Sequence, residues 1–307
     1  MREHIDPLHS TNPDLSRRTF IGVTAVAAGA ASSMGAALAA GEDYGKPHAP
    51  IVPENDPDIR VERPTLARDD GNIDAYAAHP KNANQKTPGV VIVQHIWGVD
   101  TSIRDVVRRF AKAGYVAIAP NLFARWNPPS GDGATDYKPF SEIASKLSDD
   151  QVDKDIAAGA AWIRTRAHAQ PTQRPPKVGV LGFCMGGSIA LRAAVDTPTF
   201  DAAAIFYGKV RYGTSDTGPI TDMALAYSDE IRMPVIGSWG GRDTSILPDD
   251  VRALDQRLKT PHDFKIYADT GHAFFDDQRK SYNAAAAQDA WARTLAWFGK
   301  YLAAAGM

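Results

Sequence analysis

Lys177-Val178-Gly179-Val180-Leu181-Gly182-Phe183-Cys184-Met185-Gly186-Gly187 is the stretch that decides the fold. Lys177 to Leu181 reads as a buried strand, and Gly186 to Val195 carries the spacing of a helix. The turn between them has glycines on both sides of Phe183-Cys184-Met185. A strand that turns sharply into a helix needs such neighbours, because a side chain there would meet backbone. The turn holds Cys184 out at its tip. The positive end of the following helix faces the sulfur and favours its thiolate form.

The same alternation extends in both directions. Ile73–Ala78, Gly89–Val93, Tyr115–Ala119, Ala202–Tyr207, Val235–Trp239 and Phe264–Tyr267 read as strands. Ser102–Ala113, Val152–Arg166, Asp249–Leu258 and Ala284–Leu302 read as helices. Gly89-Val90-Val91-Ile92-Val93 is a continuous apolar run, the mark of a strand covered on both faces. Strands that alternate with helices predict an α/β fold, a doubly wound, mainly parallel sheet with helices on both faces. Residues 124–140 are rich in proline and glycine and read as a long irregular loop, a common form for a lid or binding segment. A second loop holds Gly208, Gly213 and Gly218.

The N-terminus differs in kind. Ser16-Arg17-Arg18-Thr19-Phe20-Ile21-Gly22 leads into a mild apolar run, Ile21–Ala40, which ends in the small-x-small pattern Ala37-Leu38-Ala39. Paired arginines before such a run resemble a twin-arginine signal peptide, expected over residues 1–39. The alternative is a membrane anchor, since the run is long enough to span, but its many glycines and alanines make it a poor one. Cleavage would leave no stable membrane anchor and a periplasmic or secreted protein whose partner in transit is the twin-arginine export machinery. Residues 40–58, with Pro47, Pro50, Pro53 and Pro57, read as an extended arm, and 59–307 as the folded domain. A net charge of −2 provides no general attraction to nucleic acid. The eight histidines lack metal-ligand spacing and no phosphate or dinucleotide loop is present, so neither cofactor nor metal is expected.

Cys184 is the only cysteine, so it forms no internal disulfide. A lone cysteine is commonly a small core residue; its place on this turn favours a nucleophile instead. Two further loops follow strands: Gly240-Gly241-Arg242-Asp243-Thr244 and Thr270-Gly271-His272-Ala273-Phe274-Phe275. Asp243 alone could be a cap for the next turn, and His272 alone a packed imidazole. Together they complete the order nucleophile, acid, histidine found in α/β-hydrolases. In that arrangement the imidazole moves the proton and the carboxylate orients it.

The three loops, Gly-Phe-Cys-Met-Gly-Gly, Gly-Gly-Arg-Asp and Gly-His-Ala-Phe, resemble the signature loops of the dienelactone hydrolase family. The likeness runs over about residues 60–300, and includes Gln94-His95-Ile96-Trp97-Gly98-Val99 and Asn121-Leu122-Phe123-Ala124-Arg125. The resemblance implies an α/β-hydrolase fold and a small-molecule ester or lactone as substrate. It implies Cys184, Asp243 and His272 as the triad, the N–H groups of Met185 and Ile96 as the oxyanion hole, and Arg125 as holder of a substrate carboxylate.

Two positions depart from the family pattern. His95 stands where the family has a glutamate that pairs with the resting cysteine; it either promotes the thiolate as a cation or only packs. Asp276 stands where the family has a second arginine, and would repel an anionic substrate unless Arg279 compensates. Trp97, Trp126, Tyr207 and Phe275 are candidates for the pocket wall, or plain core. The expected function is a cysteine-dependent ester or lactone hydrolase. A general carboxylesterase or thioesterase acting on uncharged acyl groups, and a non-catalytic binding protein of the same fold, are the competing readings.

Overall fold

Every segment read as a strand forms one, in a single sheet ordered β1-β3-β5-β4-β6-β7-β8-β9. The computed structural model describes residues 47–166, 175–196, 198–210 and 227–303. Its strands are β1 (Ile59–Glu62), β2 (Thr65–Leu66), β3 (Ile73–Pro80), β4 (Gly89–Val93), β5 (Val116–Pro120), β6 (Val178–Phe183), β7 (Ala202–Phe206), β8 (Val235–Gly240) and β9 (His262–Tyr267). The helices are α1 (Thr101–Lys112), α2 (Lys138–Ala144), α3 (Asp149–Arg166), α4 (Met185–Asp196), α5 (Pro248–Arg257) and α6 (Ala284–Leu302). β4 to β9 pair in parallel, whereas β3 runs antiparallel to β5, β1 and β2. This is the α/β-hydrolase fold.

Strand register shows how both faces are covered. Val91 of β4 pairs with Val180 of β6, so the two share a face. Gly159 of α3 packs close to Val91, which puts α3 on that face, and Arg192 of α4 bonds Asp153 of α3 alongside it. Gly179 points to the opposite face and there meets Phe298 and Leu302 of α6. Phe110 of α1 lies against Trp291 and Phe298 of α6, so α1 shares this second face. The apolar stripe of α1, Ile103, Val106, Val107 and Phe110, is fully buried, as its spacing requires.

Three elements were not evident in the sequence. β1 and β2 are too short to show a period, and are defined by pairing with β3. The stretch read as an irregular loop over 124–140 begins with a single 3-10 turn, Ala124–Trp126, and gives way to α2 at Lys138. The arm, described from Pro47, is pinned rather than free. Asp105 of α1, buried, accepts the N–H groups of Ile51 (3.0 Å) and Val52 (2.9 Å). At its start the His48 N–H reaches the Asp277 carbonyl at 2.7 Å. The arm therefore ties α1 to the segment just after His272.

The proposed leader and the glycines at 213 and 218 lie outside the described residues. Among the described residues no helix is long and apolar enough to cross a membrane.

Candidate active site

Three strand ends converge here. The turn after β6 holds Cys184 at φ +54°, a left-handed conformation that a residue with a Cβ rarely adopts. Tyr207 after β7 (φ +40°) and Ala273 beside His272 (φ +59°) share it. Such strain persists where surrounding packing over-determines it, commonly at a functional site. A Cβ on Gly186 would lie 2.2 Å from the Val93 carbonyl oxygen and 2.5 Å from that of Gln94. The turn is thus pressed against the end of β4, and only glycine permits it.

The loops after β8 and β9 meet in the same manner. A Cβ on Gly240 would lie 2.3 Å from the Gly271 carbonyl oxygen. This close approach sets Asp243 beside His272, whose Nδ1–H donates to Asp243 Oδ2 at 2.7 Å. Asp243 Oδ1 accepts the Ser245 N–H (2.9 Å), the Ser245 hydroxyl (2.7 Å) and the Ile246 N–H (3.2 Å). The residue therefore both caps its turn and holds the imidazole. With Nδ1 engaged, Nε2 remains for the Cys184 sulfur, whose charge acts on the ring.

Electrostatics follow from this geometry. Burial pushes the Cys184 thiol up, but the charge and hydrogen bond of His272, then the charge of His95 and the Met185 N–H, bring it below its ordinary range. Burial alone would lower His272; the Cys184 charge and the Asp243 hydrogen bond raise it instead. Burial raises Asp243 and the His272 bond more than reverses that. A thiolate–imidazolium pair resting on a carboxylate is an arrangement able to attack a carbonyl carbon and to return a proton to a leaving group.

A second histidine stands next to it. Val93 pairs with Gly182 across the parallel strands, so two residues further along, His95 and Cys184 leave the sheet side by side. His95 is buried, with Nε2 2.9 Å from Asp100 Oδ1 and Nδ1 3.9 Å from Asp276 Oδ2. Arg279 Nε donates to Asp276 Oδ2 at 3.1 Å, and its guanidinium lies 4.2 Å over the Trp97 ring.

Comparison with known proteins gives the family. The family model of dienelactone hydrolases matches residues 73–302. The chain belongs to the dienelactone hydrolase family. A candidate carboxymethylenebutenolidase of Escherichia coli is 36% identical over 233 residues, covering 75% of this chain and 83% of its own. One of Synechocystis is 36% identical over 246 residues, covering 78% of this chain and 97% of its own. The crystal structure of a candidate dienelactone hydrolase from Klebsiella pneumoniae shares 34% identity with a TM-score of 0.67, over 79% of this chain and 99% of that one. The protein is an ester-hydrolysing enzyme of the dienelactone hydrolase type.

Other residues singled out in the sequence fare differently. Arg125 was expected to grip a substrate carboxylate, yet its Nη1 and Nη2 donate to both oxygens of Asp155 (2.7 and 2.9 Å), and Nη2 also to Asp70 (2.7 Å). Asp155 is a fully buried carboxylate on α3 that also holds Arg68, so this planar fork already has its match inside the protein. Phe275, a candidate for the pocket wall or for plain core, is buried, stacked on Phe183 at 5.3 Å and edge-on to Phe206 at 4.9 Å. Asp276 is no bare charge, because Arg279 and His95 flank it.

Trp97 is half-buried and Trp126 likewise. Ile96 sits in the turn closed by the Gly98 N–H on the His95 carbonyl, 3.2 Å, and its side chain is buried. Tyr207 packs edge-on to His272 at 5.2 Å. One residue was missed: Tyr137, at the end of the long loop, edge-on to Trp97 at 5.9 Å. Burial and then the charge of Cys184 push its hydroxyl up to about 12, which keeps it neutral beside the sulfur. The length of the loop was the one available signal.

Proposed function

We propose that this protein hydrolyses esters or lactones through Cys184, with Asp243 and His272 as its partners. The observation that carries the reading is the 2.7 Å hydrogen bond between His272 and Asp243 close to Cys184, which sits at a turn whose backbone is strained. The Cys184 thiolate adds to the carbonyl carbon, and the carbonyl oxygen takes the negative charge. The N–H groups of Met185 and Ile96 are the donors proposed for it. As the tetrahedral adduct collapses, the C–O bond breaks and the leaving oxygen takes the proton from His272, leaving a thioester on sulfur. His272, now neutral, takes a proton from water; the hydroxide adds to the thioester. Collapse expels the thiolate and releases the acid, and His272 is again protonated.

The occupied Arg125 favours neutral acyl substrates over carboxylated ones, because an anion there would have to displace Asp70 and share the guanidinium with Asp155. The test is a chromogenic ester assay with burst analysis. A burst blocked by iodoacetamide and absent in Cys184→Ala supports the reading; turnover by the alanine variant at the parent rate overturns it.

The N-terminal reading extends this proposal: residues 1–39 direct the chain through twin-arginine export to the periplasm or medium. Its support is Arg17-Arg18 before a weakly apolar run ending in Ala37-Leu38-Ala39. A double substitution of Arg17 and Arg18 by lysine is expected to leave uncut protein in the cytoplasm, and unaltered export would refute the route.

A further inference from the structure

Two buried carboxylates, Asp100 and Asp276, lie against His95, and among the described residues one arginine, Arg279, answers them both. Asp100 comes from the N-terminus of α1, where its Oδ1 also accepts the Ile103 N–H at 3.1 Å. Asp276 and Arg279 come from the segment after His272, and Arg279 reaches both acids, at 3.7 and 3.1 Å. One negative charge is left over in a dry place, next to a sulfur that must itself become negative. Buried charge without a partner is costly, so a second cation is required there.

His95 is the group in position to supply it. Its Nε2 faces Asp100 and its Nδ1 faces Asp276, so both ring nitrogens point at carboxylates. Asp100 holds Nε2 at hydrogen-bond distance, Asp276 acts on Nδ1 through its charge at 3.9 Å, and two carboxylates around one ring favour its protonated form. We propose that His95 is a positioning residue that stays an imidazolium between Asp100 and Asp276 and holds Cys184 as a thiolate before any substrate arrives. This rests on Cys184 being the nucleophile.

The charged and titratable groups facing this ring are Asp100 from α1, Asp276 and Arg279 from the His272 segment, and Cys184 from the turn before α4; Tyr207, after β7, feels the same charges. Burial works against the charged ring, yet Asp100 and then Asp276 raise it above the ordinary histidine range. The same ring is among the groups that lower the thiol. His95 differs from His272 in that its second nitrogen is directed at a carboxylate, Asp276 at 3.9 Å.

The single cysteine makes the test clean, because alkylation reports Cys184 alone. The rate of iodoacetamide labelling is followed by mass spectrometry from pH 5 to 10 for the parent, His95→Gln and Asp276→Asn. Loss of the cation is expected to move the midpoint up by about one pH unit and slow labelling at pH 6 roughly tenfold in His95→Gln, with a smaller shift in Asp276→Asn. Profiles that superimpose on the parent overturn the proposal. As a check on the unaltered protein, ring-labelled histidine NMR should show an imidazolium signal that persists above pH 7 and is lost in His95→Gln. Its absence from the parent also overturns the proposal. Labelling is read without turnover, so this outcome is separable from failure of the hydrolase reading, which Cys184→Ala alone decides.

Discussion

His272 and His95 flank one sulfur, and each is bonded to a carboxylate at nearly the same distance, 2.7 and 2.9 Å. The difference lies in the other nitrogen. His272 gives Nδ1 to Asp243 and keeps Nε2 for the sulfur; His95 gives Nε2 to Asp100 and turns Nδ1 toward Asp276. One ring can therefore exchange a proton with the reacting atoms while the other can only hold its charge. The number of carboxylates around an imidazole, rather than its distance from the nucleophile, separates a shuttle from a fixed cation.

The sharpest way to break that comparison is to remove each ring in turn. His272→Gln is expected to cost about a thousandfold or more in kcat/KM, as does removal of the nucleophile in Cys184→Ala, because members of such a unit fail together. His95→Gln should cost only about tenfold, through a smaller thiolate fraction. Steady-state kinetics with a chromogenic ester check both, with circular dichroism to show that the fold persists. Equal losses in the two histidine variants would mean that both rings move protons.

The carboxylates give the next contrast. Asp243→Asn is expected to lower kcat by about a hundredfold or more, since an amide favours the wrong tautomer of His272. Asp100→Asn should lower it only a few-fold and leave thermal melts nearly unchanged, since asparagine caps a helix as well as aspartate.

pH dependence sharpens the picture further. Because the Cys184 thiol lies below its ordinary range, labelling of the parent persists as pH falls from 9 and is lost only as pH drops through the folded-state value. In His95→Gln that loss begins at higher pH. The smallest effect concerns Arg125. With its guanidinium already taken by Asp155 and Asp70, Arg125→Ala should change the ratio of kcat/KM for a carboxylated lactone and its methyl ester by less than about threefold. A selective loss on the acid beyond that would return Arg125 to the substrate site.

Much of this molecule could be read before its structure was known. The run Gly89–Val93 named a buried parallel strand because its residues are apolar on every side, and no tertiary detail was needed. The loops that carry Cys184, Asp243 and His272 were legible because a glycine-flanked residue after a strand leaves a local mark. β1 and β2 left none, since two to four residues have no period and exist only by pairing with β3.

What the sequence determined by itself is the alternation of strands and helices, and the loops at which reactive side chains leave the sheet. Only tertiary structure decided which charges meet. Arg125 and Asp155 stand 30 residues apart, and no local pattern announces their bidentate pairing. Asp100, from α1, and Asp276, from the segment after His272, converge on His95 from separate elements, and their sum makes that ring a cation. Local pattern is written in neighbouring residues; the protonation of a buried group depends on every charge that the folded chain brings within a few ångströms of it.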